Sequence, residues 1–257
     1  MNLDKIRLSW TMFAAPKRFY ALASAVTPWC WGVALVFGLV SLYIGFFVAP
    51  TDFQQGESYR IIFIHVPSAW MSMLLYLSIA FWSALGWGLN ARMASTLARA
   101  VAPTGAMFTA VALWTGALWG QPTWGTYWVW DARLTSELIL LLLYLGYIAL
   151  VEAIDDPRRS AQAGAVLSMV GALNVPIIYF SVRWWNTLHQ GSSISMTAAP
   201  KMAQTMLLAM LLMTIAFWAY SFAAIFTRAR ALTLDLEHDA AWVGERFGAN
   251  PANHKES

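Results

Sequence analysis

The sequence predicts an all-α membrane protein, a bundle of six transmembrane helices, and three observations support this fold class. Of its 257 residues, 59% are hydrophobic and only 11% are charged, which is more apolar surface than one soluble core can bury. A helix crosses the hydrocarbon layer with roughly 20 apolar residues, and six largely uncharged runs of about that length occur. Transmembrane strands would be shorter and would alternate in polarity, whereas the segment 138–145 is continuously apolar.

The six runs divide the chain into one membrane domain and a tail. They cover residues 28–48, 66–89, 100–118, 134–151, 161–182 and 202–226. The basic N-terminus is not followed by a short apolar run with a small-residue cleavage site, so we expect the first span to persist. We expect residues 1–230 to form the membrane domain and residues 231–257 to form a polar cytoplasmic tail without a binding site.

The Lys and Arg residues predict the orientation of the bundle. Six spans place both termini on one side of the membrane, and positive residues collect in the cytoplasmic connections. The connections after spans 1, 3 and 5 carry few of them, namely Arg60, Arg133, Arg183 and Lys201. The termini and the other two connections carry Lys5, Arg7, Lys17, Arg18, Arg92, Arg99, Arg158, Arg159, Arg228 and Arg230. We therefore expect cytoplasmic termini, with the 1/2, 3/4 and 5/6 connections facing outward.

Charge and cysteine content argue against nucleic-acid binding and against thiol redox chemistry. The formal net charge is +3, and no dense cluster of Lys and Arg is present that could neutralise a nucleic-acid backbone. Cys30 is the only cysteine and falls inside the first predicted span, so the chain can form neither an internal disulfide nor a CxxC redox pair. We predict no catalytic residues.

The 3/4 connection is unusually rich in aromatic residues. Gly120, Pro122 and Gly125 break regular structure there, which predicts an irregular segment that presents its rings as a platform for a flat apolar ligand. The alternative is an interfacial belt, because Trp and Tyr gather where lipid headgroups meet hydrocarbon. The rings concerned are Trp119, Trp124, Tyr127, Trp128 and Trp130.

Three charged residues follow the platform. Asp131 precedes the fourth span, where an acceptor would cap free backbone amides. Arg133 is either an interfacial anchor or the guanidinium that a carboxylate-bearing ligand needs. Glu137 is ionisable near lipid, and the helix N-terminus together with Arg133 accounts for it.

Two histidines belong to the outward connections. Pro67 suits a helix start, so His65 is expected at the mouth of the second span. His189 lies in the 5/6 connection with Arg183 nearby. Each alone would be an ordinary hydrogen-bonded side chain. Together, two imidazoles over a tryptophan platform with arginines nearby supply the axial nitrogens, flat apolar walls and cations that six-coordinate haem requires.

Three segments resemble one family of haem-handling membrane proteins. The tryptophan-rich WWD signature corresponds to WGTYWVWDARLT at 124–135, and IHVPSAW at 64–70 and WWNTLHQ at 184–190 also match. The chain resembles the haem exporter protein C (CcmC) family from about residue 10 to residue 230. The resemblance implies that haem b is bound as cargo at a periplasmic WWD segment, about 119–135. It also implies axial ligation by His65 and His189 and a platform of Trp119, Trp124, Trp128, Trp130 and Asp131.

The resemblance further implies a place in cytochrome c maturation at the bacterial inner membrane. Its expected partners are membrane lipid, the periplasmic haem chaperone CcmE, the transporter subunits CcmA and CcmB, and the small membrane subunit CcmD. The sequence has no glycine-rich phosphate loop, which agrees with ATP hydrolysis in a separate subunit. Two alternatives are a cytochrome b-like electron-transfer subunit, whose histidines would lie inside spans, and a solute permease with polar groups at mid-membrane.

Overall fold

The computed structural model describes residues 15–185, 187–189 and 202–248. Throughout these residues the chain is helical apart from its connections, and it forms no strand beyond an isolated bridge between Asp52 and Gly56. Lys5, Arg7 and Lys201, which entered the prediction of orientation, lie outside the described residues.

The described residues contain a short π-helix, Ile44–Val48, a 3₁₀ helix, Glu57–Ile61, and a series of α-helices. The α-helices are α1 Pro16–Tyr43, α2 Ile62–Gly88, α3 Arg92–Trp124, α4 Ala132–Ala153, α5 Pro157–Gly171, α6 Asn174–Trp184, α7 Gln204–Leu236 and α8 Ala241–Phe247.

Six segments are long and apolar enough to cross a membrane, which confirms the predicted fold class. They are Pro16–Val48, Glu57–Gly88, Arg92–Trp124, Ala132–Ala153, Pro157–Trp184 and Gln204–Leu236. Each segment contains one of the predicted apolar runs almost entirely. The side of the membrane on which the termini lie remains a prediction.

The fifth span is interrupted between the end of α5 at Gly171 and the start of α6 at Asn174. Asn174 begins α6, and its side-chain amide donates a hydrogen bond to the carbonyl oxygen of Ser136 on α4 at 2.8 Å. Pro176 is therefore in the first turn of α6, where a missing backbone N–H costs little. The hydrogen bond of Asn174 therefore joins the start of α6 to the N-terminal part of α4.

Two helices extend further than predicted, and both extensions change the site. The 3₁₀ helix Glu57–Ile61 runs directly into α2, so His65 and Pro67 lie inside the helix. The expectation that His65 lies at a helix mouth is wrong for this reason. Helix α3 likewise continues through Pro122 to Trp124, so Trp119 and Trp124 are helical and the irregular segment begins only after them.

The break in the 3/4 connection lies at Gly125. Its φ of 79° is left-handed, and its N–H donates to the carbonyl oxygen of Gln121 at 3.0 Å, which ends α3. Gly120 does not end the helix but allows the chain after α3 to approach closely. A Cβ at this position would lie 3.1 Å from the carbonyl oxygen of Thr126 and 2.9 Å from the Trp124 ring. The segment after α3 thus folds back over Gly120.

The sixth span and the tail are joined without a break at residue 230. Helix α7 continues to Leu236, and the short helix α8 folds back against α1. The Tyr20 ring lies 5.7 Å from that of Trp242, and the Arg246 guanidinium lies 4.9 Å above it. The first part of the tail therefore contacts the membrane domain, while the division into two domains remains a prediction.

The bundle is built from two closely paired sets of helices. Helix α2 packs mainly along α3, and α1 packs along α7, while α4, α5 and α6 complete the side next to α2 and α3. The largest fully buried side chains include Tyr76, Phe108 and Tyr144, which belong to α2, α3 and α4. Contact among these three helices fixes the walls of the site described next.

Candidate functional site

A cavity lies where α3 passes into the 3/4 connection, between α2, α3 and α4. Its empty volume is about 600 Å³, including space that is open to solvent. It is lined by His65, Ala69, Ala112, Leu113, Gly116, Trp119, Thr123, Trp124, Arg133, Leu134, Glu137 and His189. Both predicted ligand histidines, two of the four predicted tryptophans and one of the two predicted arginines therefore meet in one place.

His65 is held from the side of α3. Its imidazole is buried, with Nδ1 at 3.1 Å from both the carbonyl oxygen of Ala112 and Oγ1 of Thr115. The Thr115 hydroxyl donates to the carbonyl oxygen of Val111, so both neighbours of Nδ1 can accept a hydrogen bond from it. This pairing fixes the tautomer in which Nε2 keeps its lone pair, as in most metal-binding histidines.

Space for the His65 ring is provided by Gly116. A Cβ at this position would lie 3.0 Å from Cε1 of His65, a distance that real Cβ atoms rarely show. The Trp119 ring closes the adjacent side, with its centroid 5.6 Å from that of His65 and its plane at 72° to it. One face of α3 thus shapes the pocket around the imidazole.

His189 is positioned by a chain of hydrogen bonds from another connection. Its backbone N–H donates to Oγ1 of Thr187 at 3.1 Å, and the Thr187 hydroxyl donates to Oδ2 of Asp131. The other carboxylate oxygen of Asp131 accepts from the N–H of Leu134 at 2.8 Å and caps α4. Asp131 therefore acts as the predicted cap and also holds the segment that carries His189.

The imidazole rings of His65 and His189 lie close to each other in the cavity. Their centroids are 6.3 Å apart, and their planes are inclined by 36°. Imidazoles that bind opposite sides of one metal ion through bonds of about 2 Å place their centroids roughly 6 Å apart. The spacing therefore fits a single metal ion between the rings.

The four tryptophans form two groups rather than one platform. Trp119 and Trp124 line the cavity, with the Trp124 ring 6.2 Å from that of His189. Trp128 and Trp130 contact each other at 5.4 Å but do not line it, and Trp130 is 77% exposed. Helical residues thus supply the flat walls, while the irregular segment presents a second pair outside.

The two predicted arginines also differ in position. Arg133 lines the cavity, and its Nη1 donates to the carbonyl oxygen of Ile178 on α6 at 2.7 Å. Arg183 is exposed in the last turn of α6 and does not line the cavity. The cavity therefore offers one guanidinium to a carboxylate-bearing ligand.

Sequence reasoning missed four residues that shape this site: Thr115, Gly116, Glu137 and Thr187. Glu137 carried a usable signal, because an ionisable residue inside a span is costly and usually has a function. Thr115 carried none, because it is 50 residues from His65 and its contact depends on how α2 and α3 pack.

Fold and site together define a class: a multi-pass α-helical membrane protein with two histidines facing each other across a tryptophan-lined cavity. A family model described as heme exporter protein C matches residues 9–244. The chain belongs to the heme exporter protein C family.

Curated relatives agree over most of their length. A protein named "Heme exporter protein C" from Bradyrhizobium diazoefficiens is 50% identical over 79% of this chain and 77% of its own. One of the same name from Escherichia coli strain K12 is 44% identical over 90% of this chain and 94% of its own. A Marchantia polymorpha protein named "Putative cytochrome c biosynthesis ccmC-like mitochondrial protein" is 46% identical over 68% and 73%.

Proposed function

We propose that this protein binds haem b in the cavity between α2, α3 and α4 and delivers it to a chaperone for cytochrome c assembly. The observation that carries the proposal is the 6.3 Å spacing of the His65 and His189 rings across a cavity walled by indoles. In this arrangement the two Nε2 atoms are the axial ligands, and haem is the cargo rather than a resident cofactor. The printed names of the relatives point to the same cargo and pathway.

The proposed roles of the remaining residues follow from their positions. Trp119 and Trp124 stack against the macrocycle, and Arg133 pairs with a propionate. Asp131 acts indirectly, through Thr187, by holding His189 in place. Trp128, Trp130 and Arg183 lie outside the cavity walls, where a partner that receives the haem can contact them.

The proposed setting is the bacterial inner membrane, with the cavity open to the periplasm and both termini in the cytoplasm. The charge distribution among the connections supports this orientation. The proposed recipient is the periplasmic chaperone CcmE, with the transporter subunits CcmA and CcmB and the small subunit CcmD as further partners. These partners are supported by family membership rather than by any contact in the structure.

One observation favours a second candidate function. His65 lies inside α2 and is buried, as the ligands of a fixed electron-transfer haem would be. His189 differs, because it belongs to a connection between helices and is only partly buried. A ligand on a connection can move away from the iron, which suits a haem that is loaded and released.

Transfer of haem distinguishes the two functions. The purified, haem-loaded protein is mixed with purified apo-chaperone, and the haem spectrum of each is recorded after separation. We expect haem to leave this protein and appear on the chaperone. Haem that stays bound while cycling between redox states would support the electron-transfer function. His238→Ala, which changes an exposed tail histidine paired with Asp239, is the control variant.

A further inference from the structure

Glu137 is the only acidic residue among those that line the cavity in the described part of the chain. Its side chain is only 6% exposed, and Oε1 accepts a hydrogen bond from the Ser72 hydroxyl at 2.7 Å. Its other oxygen, Oε2, is buried and has no hydrogen-bond partner among the described residues. A buried carboxyl oxygen of this kind is costly, and in membrane spans such groups often belong to proton pathways.

Buried hydroxyl groups continue from Glu137 along the contact between α2 and α4. On each helix they recur at intervals of three, four or seven residues, which places them on one face. We call this group the hydroxyl seam: Ser72, Tyr76 and Ser83 on α2, and Tyr144 and Tyr147 on α4. All five are buried in the bundle.

The members of the seam form two groups of close contacts. The Tyr144 hydroxyl donates to the carbonyl oxygen of Ser72 at 2.7 Å, and its ring contacts that of Tyr76 at 4.9 Å. Further along, Ser83 Oγ and the Tyr147 hydroxyl are 3.4 Å apart. The Tyr76 hydroxyl is a second buried group without a partner among the described residues. Because buried polar groups are nearly always hydrogen-bonded to protein or ordered water, the seam suits bound water.

The seam leads from the cavity toward the opposite end of the bundle. At about 1.5 Å per residue, the stretch of α2 from Ser72 to Ser83 spans roughly 16 Å, about half of the hydrocarbon layer. Ser83 lies near the end of α2, which ends at Gly88. The seam therefore extends from the cavity to near the far end of α2.

Haem binding would create a charge imbalance in the cavity. Haem carries two propionate groups, whereas Arg133 is the only Lys or Arg that lines the cavity in the described residues. A propionate that pairs with Arg133 would leave the Glu137 carboxylate, one helical turn further along α4, without a compensating positive charge. The other titratable groups around it are His65, His189, Tyr76 and Tyr144.

We propose that Glu137 takes up one proton when haem fills the cavity, and that the hydroxyl seam supplies it from the opposite end of the bundle. The seam offers a route to Glu137 that does not pass through the haem-filled part of the cavity. The proton adds to the Glu137 carboxylate, and each water or hydroxyl accepts one proton while it releases another. No tyrosine or serine changes its net charge, and nothing is oxidised or reduced. The proposal rests on the proposed haem-binding function.

Proton uptake can be measured in liposomes that contain the full chain and a pH-sensitive dye in the lumen. Haem is added to the buffered outside, so that it loads outward-facing cavities, and haem binding is followed in parallel by absorption. We expect the lumenal pH to rise, and the number of protons lost from the lumen to be about one per haem bound. This rise should be absent in Glu137→Gln and severalfold slower in Tyr144→Phe and Ser83→Ala.

Tyr220→Phe is the matched control, because the Tyr220 hydroxyl contacts Met107 Sδ outside the seam, and its pH rise should equal that of wild type. An equal rise in Glu137→Gln, or no rise in wild type, with a normal haem spectrum would overturn the proton pathway and leave the haem function standing. Absence of a haem spectrum in wild type would overturn both.

Discussion

Asp131 accepts a hydrogen bond from the hydroxyl of Thr187, although the two residues are 56 positions apart. Asp131 caps α4, and Thr187 accepts the backbone N–H of His189. The position of a proposed iron ligand thus depends on a helix cap in a different connection. Asp131 therefore supports the proposed ligand without lining the cavity.

The first prediction tests this support with Thr187→Val, which removes the hydroxyl and keeps the side-chain shape. The hydroxyl accepts one hydrogen bond from His189 and donates one to Asp131. Loss of both should weaken haem binding by about 1 to 2 kcal/mol, because His189 loses a fixed position. Haem titration of the purified protein measures the change. Thr214→Val is the control, because its hydroxyl bonds only within α7. Equal affinities of Thr187→Val and wild type would show that the hydrogen bond does not position His189.

The second prediction concerns the coupling of the two residues. Asp131→Ala should lower haem affinity more than Thr187→Val does. The reason is that it also removes the cap of α4, which contributes about 1 kcal/mol to the stability of the helix. The double variant should be about as weak as Asp131→Ala alone, since both changes break the same contact. Strictly additive effects on haem affinity would contradict the proposed chain of hydrogen bonds.

The third prediction uses the space beside His65. Gly116→Ala should displace the His65 ring and lower the haem content of the purified protein, because the new Cβ would lie 3.0 Å from Cε1. Gly32→Ala is the matched control, since a Cβ on that helical glycine meets nothing within 4 Å. Both variants should insert and purify alike. Normal haem content in Gly116→Ala would show that His65 does not need this space for ligation.

The fourth prediction separates ligands from walls. Trp128→Ala should weaken haem retention less than His189→Ala, because loss of one ring removes less binding energy than loss of an axial nitrogen. Trp124→Ala should weaken it more than Trp130→Ala, since Trp124 lines the cavity and Trp130 does not. If the rings were only a lipid belt, replacing Trp124, Trp128 and Trp130 by Phe would leave haem content and chaperone binding unchanged.

Much of the fold follows from sequence because long apolar runs have few alternatives to membrane helices. The meeting of His65, His189, Trp119 and Arg133 was also predictable, since all four were assigned to connections on one side of the membrane. Helix ends were less predictable. Pro67 predicts a helix start, but the 3₁₀ helix Glu57–Ile61 leads into α2 at Ile62, so the helix begins before Pro67.

Other parts of the site depend on contacts that sequence spacing does not encode. The division of the tryptophans into two pairs depends on where α3 ends, and three helix-breaking residues offered three possible ends. Only Gly125 has the left-handed conformation that ends the helix. Gly116 carries no signal in the sequence, because its role depends on how closely α2 and α3 pack. The sequence identifies Glu137 as an ionisable residue near the start of a span, but only the packing of the helices places it in the cavity.

The fifth prediction is that haem and the chaperone bind cooperatively, because the connection that carries His189 contributes to the cavity and would also contact the chaperone. A coupling of about 1 to 3 kcal/mol would be ordinary and must act equally in both directions. Removing His65 and His189 should therefore weaken chaperone capture even if neither contacts the chaperone. Co-purification with and without haem synthesis measures this, and equal recovery in both conditions would contradict a shared surface.

The central claim is that His65 and His189 together ligate haem iron, and the absorption spectrum of the purified protein tests it most directly. Wild type should carry substoichiometric b-type haem with a low-spin, six-coordinate spectrum, and the His65→Ala, His189→Ala double variant should lose it. In His65→Gly or His189→Gly, added imidazole should occupy the vacant ligand position and restore much of the haem. A double variant with the wild-type spectrum, or single variants that imidazole cannot rescue, would contradict this assignment.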